Sequence, residues 1–321
     1  MNHPTDQTAI LGKKQILVIG STCVDIIINI DHLPRTAEDI HPFGQSMALG
    51  GCAYNAANMI RLFGAPVTLI SPVGTGFYGE YVKKELKKKG FKDTVKISDQ
   101  ENGCCYCLVE TSGERTFMSC HGAEYTFQKK WMEPYENKNF DMVYICGLEI
   151  EEPTGKELIE YLEFYPDREL FYAPGPRGIL VDQEKTDRIF SLHPILHINE
   201  AEALAMSQCS TVEKAANVLL SQTKNTVLIT LGNKGTYCLE KSGLSYLEPS
   251  VPTEAVDTIG AGDSHIGTIM ACLSLGYDMR TAIHTANQIA AAVVSVKGSS
   301  LPEEKFDTLR EHLPLLPKVS L

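Results

Sequence analysis

One short run near the C-terminus constrains the chain more than any other stretch, because it places small residues and a carboxylate at the start of a helix. Its residues are Asp257-Thr258-Ile259-Gly260-Ala261-Gly262-Asp263. The apolar stretch 266–275 predicts a helix, with Gly276 placed to end it. The first-turn N–H groups and the dipole of such a helix suit an anion. A carboxylate beside them repels an anion unless it has a task, such as taking a proton from an attacking hydroxyl. The run therefore predicts a phosphoryl-transfer site.

The composition is typical of a soluble globular protein and argues against nucleic acid as the main partner. Of the 321 residues, 43% are hydrophobic and 21% are charged, and the formal net charge is −11. The N-terminus has no early apolar core, and no apolar run approaches the ~18 residues of a membrane span. Ten cysteines are scattered singly, apart from the group Cys104, Cys105 and Cys107. We therefore expect reduced thiols, a cytoplasmic location and no membrane contact.

Strand-length apolar runs alternate with helix-length amphipathic stretches along most of the chain. Strands are predicted at 15–20, 23–30, 67–73, 104–110, 115–120, 142–147, 170–173, 195–198 and 226–231. Helices are predicted at 50–64, 79–90, 154–164, 199–207, 212–222, 266–275 and 280–296. The rhythm after residue 142 is that of a parallel sheet with crossover helices, so the predicted fold class is α/β. Ligands of such sheets gather at the C-terminal ends of the strands.

Five motifs occur in an order that resembles the ribokinase family, the PfkB carbohydrate kinases. They are Gly20-x-x-x-x-Asp25, Gly50-Gly51-x-x-x-Asn55, Asn199-x-x-Glu202, Thr230-x-Gly232-x-x-Gly235 and the run that ends at Asp263. The resemblance covers about residues 16–302. It implies a three-layer α/β/α sandwich with a mainly parallel central sheet and a small β-sheet lid. It also implies ATP-dependent phosphorylation of a sugar or sugar-like molecule with Mg²⁺. The base would be Asp263, and the anion hole would be formed by Gly260, Ala261 and Gly262.

The same resemblance implies a set of substrate-binding residues. Asp25 follows Gly20 at the family's Gly-x-x-x-x-Asp feature, and Gly51 and Asn55 would hold substrate hydroxyls together with Gly50. A sugar-binding Glu is expected before Pro153, at Glu149 or Glu151. Arg177 lies in a stretch where Ala173 replaces the usual Asp, and it is expected to reach a phosphate. Arg115, in Gly-Glu-Arg-Thr-Phe, either reaches substrate or pairs with Glu114 or another surface acid. This stretch and Asp-Ser-His after Gly262 resemble bacterial sugar kinases of unassigned substrate.

The nucleotide side of the predicted site comes from later motifs. Asn199 and Glu202 share a helix face, so both would reach one hydrated Mg²⁺ between phosphates, although a capping box has the same spacing. Thr230, Gly232 and Gly235 match a family stretch along the nucleotide, with a plain hairpin turn as the alternative. Asn287 is expected to face the adenine. Some family members hold a monovalent cation such as K⁺ at positions matching Asp257, Ile259, Val293, Val296 and Gly298.

The predicted organisation is a loose segment 1–14 followed by one domain, 15–321. Segments 23–48 and 103–120 read as short strands that would form the lid, and in the family such a sheet is often a dimer surface. A homodimer through the lid is therefore expected. The Cys104, Cys105 and Cys107 group has no matching second half for zinc, so the alternating faces of a strand explain it better. His265 is expected to pack under the anion hole or to tune the substrate site.

Three alternative functions remain open from sequence. A nucleoside kinase of the same family would use the same machinery on another substrate. The stretch Gly74-x-Gly76-x-x-Gly79 matches the dinucleotide fingerprint and would indicate a nicotinamide-dependent oxidoreductase, although Pro72 sits inside the preceding strand. A non-catalytic sugar sensor would not need the carboxylate of Asp263.

Overall fold

A computed structural model of the chain describes residues 13–92 and 95–313. The predicted loose segment therefore lies outside the described residues except for its last two positions. The strands are β1 Ile16–Ile19, β2 Cys23–Ile30, β3 Gly44–Gly50, β4 Val67–Ile70, β5 Pro72–Thr75, β6 Val95–Glu101, β7 Cys104–Glu110, β8 Arg115–Cys120, β9 Met142–Cys146, β10 Glu169–Ala173, β11 Ile195–Asn199, β12 Val227–Thr230, β13 Thr236–Leu239 and β14 Ser245–Glu248. The helices are α1 Cys52–Leu62, α2 Gly76–Lys88, α3 Gly147–Glu151, α4 Gly155–Phe164, α5 Gln183–Ser191, α6 Glu200–Ser207, α7 Val212–Thr223, α8 Ala261–Ser274, α9 Met279–Val294 and α10 Glu303–Arg310.

An eight-stranded sheet forms the centre of the fold, in the order β14-β13-β12-β11-β10-β9-β1-β4. Strands β4, β1, β9, β10, β11 and β12 pair in parallel, and the hairpin strands β13 and β14 complete one edge in antiparallel pairing. The parallel strands are continuous apolar runs, such as Ile16–Ile19, in which all four residues are buried. Such runs are expected where helices cover both faces of a sheet. The predicted mainly parallel sheet is confirmed.

Two separate apolar cores lie on the two faces of this sheet. Ile16 and Val18 point into the core shared with α1, α8, α9 and α10, whereas Leu17 and Ile19 point into the core shared with α4, α5, α6 and α7. Alternate residues of one strand thus serve opposite layers, because side chains alternate across a strand. The result is the predicted three-layer arrangement of helices, sheet and helices. Among the described residues, none of the helices combines the length and apolarity needed to cross a bilayer.

A second, four-stranded sheet stands apart from the central one, in the order β3-β2-β7-β8. Strand β2 pairs antiparallel to β3 and parallel to β7, and β7 pairs antiparallel to β8 around the predicted turn at Ser112-Gly113. These strands come from the two segments predicted to form a small sheet, so that prediction is confirmed. The first segment extends slightly further than expected, since β3 continues to Gly50 and leads directly into α1.

The region around the dinucleotide-like glycines differs from the sequence prediction. The single strand expected at 67–73 is broken at Ser71 into β4 and β5, and β5 pairs with β6, a strand that the sequence did not predict. The Gly74 N–H donates to Asn102 Oδ1 at 2.8 Å, and a Cβ at Gly79 would overlap the carbonyl of Gly74. These glycines pack α2 against a turn outside the central sheet. Their placement does not support the oxidoreductase alternative.

Candidate active site

The N-terminus of α8 is built by a glycine that no other residue replaces without strain. Gly260 caps the helix with φ 71°, in the left-handed region, and a Cβ there would overlap the carbonyl oxygen of Ser299. A Cβ at Gly262 would meet nothing within 4 Å, so this turn faces open space. The first-turn N–H groups of a helix have no intrahelical acceptor. The Ala261 N–H donates to Thr258 O at 3.4 Å, and the turn presents its remaining donors and the positive end of a helix dipole to the space in front of it.

Asp263 lies in the first turn of α8 and is joined to α1 by a hydrogen bond. Asn55 Nδ2 donates to Asp263 Oδ2 at 3.0 Å, and Asn55 Oδ1 is buried without a partner. Burial raises the pKa of Asp263, and the hydrogen bond from Asn55 opposes that rise. A carboxylate with a raised pKa is a stronger base than a free one. The contact therefore joins a candidate base to an amide whose carbonyl oxygen still needs a donor.

Three further predicted residues surround the start of α1. Gly51 caps the helix with φ 100°, and a Cβ there would lie 2.5 Å from the carbonyl oxygen of Ser21. The Asp25 carboxylate of β2 lies so close to Gly50 that a Cβ at that glycine would overlap it. Burial raises the pKa of Asp25 to about 6, and the charge of Asp263 adds to the effect. The double glycine thus lets a buried carboxylate approach the main chain.

A cavity of about 860 Å³ opens between the two sheets and brings many of the predicted residues together. Its lining includes Asp25, Gly51 and Asn55, and also Asn199, Glu202 and Thr230. Gly260, Gly262 and Asp263 line it as well, together with Ile259 and Arg177. The predicted sugar-binding and nucleotide-binding residues therefore share one cavity with the start of α8.

Several predicted residues lie near this cavity without lining it. They are Gly50, Arg115, Glu149, Gly232, Gly235, Asp257, Ala261, Asn287, Val293, Val296 and Gly298. Glu149 is buried behind the cavity wall, where Oε1 accepts the Ser21 N–H at 2.6 Å and Oε2 accepts the Cys146 thiol at 2.7 Å. Its carboxylate thus holds the turn after β1.

Arg177 lines the cavity, and its guanidinium forms a bidentate ion pair with Glu151 at 2.6 and 2.5 Å.

Asn199 and Glu202 form the capping box that their spacing allows. Asn199 Oδ1 accepts the Glu202 N–H at 2.9 Å, and Glu202 Oε2 accepts the Asn199 N–H at 3.1 Å. Burial raises the pKa of Glu202. Both side chains also line the cavity, so the box holds an oxygen-rich pair at its edge. Thr230 and Gly232 lie at the hairpin between β12 and β13, which agrees with the alternative prediction of a plain hairpin turn. Of the two, only Thr230 lines the cavity.

Arg115 of the small sheet reaches the segment that precedes the anion-binding turn. Its guanidinium pairs with Asp257 Oδ1 at 3.1 Å and donates to Val256 O at 2.9 Å and Thr258 Oγ1 at 3.2 Å. The sequence left two possibilities for Arg115, contact with substrate or pairing with an acidic residue. In the structure it pairs with an acidic residue, which is Asp257 and not Glu114. The other carboxylate oxygen of Asp257 accepts the Gly298 N–H at 2.9 Å. The residues predicted to surround a monovalent cation therefore already contain a guanidinium.

Behind the anion-binding turn lies a buried chain of polar side chains that the sequence did not predict. Asn287 Nδ2 donates to two carbonyls, those of Glu248 and Pro249, which fixes its Oδ1 as an acceptor. His265 Nε2 lies 3.1 Å from that oxygen and 3.0 Å from Thr236 Oγ1, so this nitrogen carries the proton. His265 Nδ1 then accepts from His197 Nε2 at 2.9 Å. Asn287, which was expected to face the adenine, belongs to this buried chain and does not line the cavity. His265 packs under the turn, which is one of the two roles that the sequence predicted for it.

This buried chain predicts a stability that falls in acid. Burial lowers the pKa of His265 to about 4 and that of His197 well below its usual 6.5. Below pH 6.5 the two histidines take up protons in the unfolded chain but not in the folded one. The free energy of unfolding therefore falls by about 2 kcal/mol per histidine between pH 7 and pH 5. We expect His265→Phe to lessen that loss in denaturant titrations at the two pH values. Replacing the exposed His41 with Gln is the matched control, and equal slopes in all three proteins would contradict the assignment.

The cavity also contains residues that sequence reasoning missed. His121 stacks on Tyr125 with ring centroids 4.1 Å apart, and both line it together with Tyr144 and Phe117. The His121 ring nitrogen Nδ1 lies 2.6 Å from Glu152. Phe117 is the last residue of the Gly-Glu-Arg-Thr-Phe stretch, whereas His121, Tyr125 and Tyr144 belong to no short motif. The four rings give this cavity an aromatic wall.

Comparison with known proteins assigns the class of protein that this fold and site define. A family model described as "pfkB family carbohydrate kinase" matches residues 13–305, so the chain belongs to the PfkB family of carbohydrate kinases. It is similar to the uncharacterized sugar kinase YegV of Escherichia coli K12, with 29% identity over 304 residues that cover 94% of each chain. It is also similar to the ribokinase of Mus musculus, with 28% identity over 90% of this chain and 92% of that one.

Solved structures show the same fold at lower sequence identity. The ribokinase of Thermotoga maritima superposes with a TM-score of 0.80 at 24% identity, covering 93% of this chain and 99% of its own. The Arabidopsis thaliana ribokinase complexed with ribose and ATP gives a TM-score of 0.73 at 18% identity, covering 92% and 98%. The predicted ribokinase-like fold is therefore confirmed. The protein is therefore a carbohydrate kinase of the PfkB family.

Proposed function

We propose that the protein transfers the γ-phosphoryl group of ATP to a hydroxyl of a sugar-like molecule, with Asp263 as the base. The observation that carries the proposal is the 3.0 Å contact between Asn55 and Asp263 beside the capped turn at Gly260. The contact joins the Asn55 amide to a buried carboxylate beside the N–H donors of the first turn of α8, and Asn55, Gly262 and Asp263 line one cavity, which supports the proposal. No other arrangement in the described residues combines a base with an anion site in this way.

In the proposed reaction, Asn55, Gly51 and Asp25 orient the sugar so that one hydroxyl faces Asp263. The carboxylate accepts the hydroxyl proton as the oxygen attacks the γ-phosphorus, and ADP leaves. The first-turn N–H groups of α8 stabilise the charge on the transferred group. Asn199 and Glu202 offer the carboxylate and amide oxygens that Mg²⁺ prefers, and burial of Glu202 favours a nearby cation. When bound, that ion would neutralise phosphate charge.

A phosphorylation screen tests the proposal directly. The purified protein is incubated with ATP and Mg²⁺ against a library of sugars, sugar acids and nucleosides, and ADP release is measured. We expect turnover with at least one sugar, and turnover of the same sugar that is at least roughly 100-fold lower in Asp263→Asn. Turnover confined to nucleosides would support the nucleoside kinase alternative. Sugar binding by calorimetry without any ADP release would support the sensor and refute the kinase.

We expect Glu202→Gln to raise the Mg²⁺ concentration needed for half-maximal turnover more than it raises the KM for sugar. Glu202 lines the cavity after β11, which β10 and β9 separate from β1, and in the proposal it lies beside the phosphates and acts through metal-bound water. Steady-state titrations of Mg²⁺ and sugar measure both effects. Asp182→Asn, at the capping position of α5, is the control for a purely structural cap. Equal effects on both titrations, or a change in stability alone, would favour a capping role only.

We expect the small sheet to act as a lid that closes on substrate and to contribute a dimer contact. Phe43 precedes the edge strand β3, and Phe117 and Met118 lie in the other edge strand, β8; these three residues are 66%, 53% and 57% exposed. A four-stranded layer with exposed apolar edges needs substrate or a second copy to cover it. Light scattering should therefore show a dimer, and hydrogen exchange in 23–48 and 103–120 should slow when sugar is added. A monomer with unchanged exchange under any sugar it turns over would contradict the proposal.

A requirement for K⁺ remains part of the proposal. Asp257, the carboxylate of the predicted cation set, is already paired with Arg115. A monovalent ion would therefore share this carboxylate with a guanidinium. Turnover measured in K⁺, Na⁺ and a bulky organic cation at constant ionic strength shows whether the ion contributes.

A further inference from the structure

The cavity-facing side of the small sheet carries a cluster of thiols and one carboxylate. Asp25 of β2 lies directly opposite Cys105 of β7 in parallel register, and Cys107 is the next residue on the same face of β7. One ligand atom from each of the three residues lies within 4.8 Å of the other two. All three side chains are buried, with 7%, 9% and 1% of their surface exposed.

The spacing of the two sulfur atoms fits a shared metal better than a disulfide. Cys105 Sγ and Cys107 Sγ are 3.9 Å apart. Two thiolates bound to one tetrahedral zinc at about 2.3 Å each lie about 3.8 Å apart. A disulfide between alternate residues of a strand must span Cα atoms about 6.7 Å apart, near the upper limit of ordinary disulfide geometry. The strand therefore holds the sulfur atoms at the edge length of a tetrahedral metal site.

The surroundings of the cluster also suit a cation. Cys23, a weak thiol donor, lies 3.8 Å from Oδ1 of the Asp25 carboxylate. Ser119 Oγ lies 3.5 Å from Cys105 Sγ and is placed to donate to a thiolate. Asp25, Cys105 and Ser119 line the cavity, which leaves a fourth coordination position open toward it.

We infer that Asp25, Cys105 and Cys107 form a binding site for a thiophilic divalent cation of the Zn²⁺ class. Binding releases the two thiol protons to solvent, and the resulting thiolates and the carboxylate coordinate the ion. Thiolate ligands select Zn²⁺ over Mg²⁺ and Ca²⁺, which take oxygen ligands. The ion occupies the carboxylate that the proposed reaction uses to hold sugar. On the basis of that proposed function, the metal and the sugar compete for one end of the cavity.

Cobalt titration of the reduced, metal-free, full-length protein tests the site without reference to turnover. Co²⁺ replaces Zn²⁺ in tetrahedral sites, and its thiolate charge-transfer absorption reports sulfur ligands. We expect one Co²⁺ per chain with this absorption and its displacement by Zn²⁺. Cys105→Ser and Cys107→Ser should each weaken binding by more than the roughly 10–100-fold that loss of an outer-shell partner costs. Cys104→Ser, on the opposite face of β7, is the matched control and should bind as the parent does.

A second variant keeps the test valid if a serine variant fails to fold. Asp25→Asn should weaken Co²⁺ binding while the thiolate absorption per bound ion stays the same. No thiolate absorption in the reduced parent protein, or unchanged affinity in both cysteine variants, would overturn the inference. So would an equal loss of binding in Cys104→Ser. For the competition, Zn²⁺ should raise the KM for sugar and leave the KM for ATP unchanged. A kinase inhibited by Zn²⁺ equally in the parent and in Cys107→Ser would refute the competition alone.

Discussion

Replacing Asp263 with Asn should lower turnover by roughly 10²–10⁴-fold and leave sugar affinity within a few-fold, which is the usual contribution of a positioned base. The amide keeps the shape of the carboxylate, and its oxygen still accepts the hydrogen bond from Asn55 Nδ2. It cannot take a proton from the sugar hydroxyl. Because the carboxylate is held at a raised pKa by burial, its removal should not lower the thermal stability of the protein.

Initial rates at saturating ATP and a calorimetric Kd for the sugar separate the two effects. Asp278→Asn provides a matched control, because Asp278 caps α9 through the Thr281 N–H and takes no part in the cavity. That variant should lose a little stability and keep its turnover. If Asp263→Asn turns over sugar at a rate near that of the parent, the assignment of the base is wrong.

Gly260→Ala is the second change from which we expect a large effect. A left-handed backbone costs about 1–2 kcal/mol for a residue with a Cβ, and the added methyl would also overlap Ser299 O. The first turn of α8 must then shift, and its N–H groups shift with it. Loss of one such donor costs roughly 10²–10³-fold in other oxyanion sites, so we expect turnover to fall by about 100-fold or more.

Gly276→Ala separates the catalytic effect of this change from backbone strain. Gly276 follows the other end of α8 with φ 91°, and a Cβ there meets nothing within 4 Å. This control has the same energetic cost of a Cβ in the left-handed region and does not move the turn at Gly260. Both variants should therefore unfold at lower denaturant concentration, and only Gly260→Ala should lose turnover. Equal activity in the two variants would contradict an oxyanion role for the turn.

The structural elements that the sequence predicted correctly are those whose pattern lies within a few consecutive residues. The apolar runs of β1 and β9 indicated strands buried on both faces, and the Gly-Ala-Gly-Asp run indicated a helix start, because each signal is complete within a few residues. The two segments of the small sheet were recognised from their alternation and the turn at Gly113. The motifs share one cavity because parallel strands end at one edge of the sheet.

The features that sequence did not predict depend on partners far apart in the chain. Arg115 pairs with Asp257, 142 positions away, and Glu149 accepts the N–H of Ser21, 128 positions away, where the neighbouring strands β1 and β9 end. Spacing along the chain contains no information about such contacts. Strand β6 was missed because its residues are mostly exposed, which gives it neither a continuous apolar run nor clear alternation. The Asn199 and Glu202 pair was predicted with two interpretations, and the structure shows the cap without deciding the metal role.

The hydrogen bond between Asn55 and Asp263 brings the first turns of two long helices together at one point. Each turn carries about half a positive charge from aligned peptide dipoles, and that field fades within a turn's length. The chain as a whole has a formal charge of −11, so from a distance it repels a polyphosphate. The two helix ends that converge at this point provide a positive field of short range. In the proposed function, a phosphoryl group would therefore be stabilised by these helices only after it has entered the cavity.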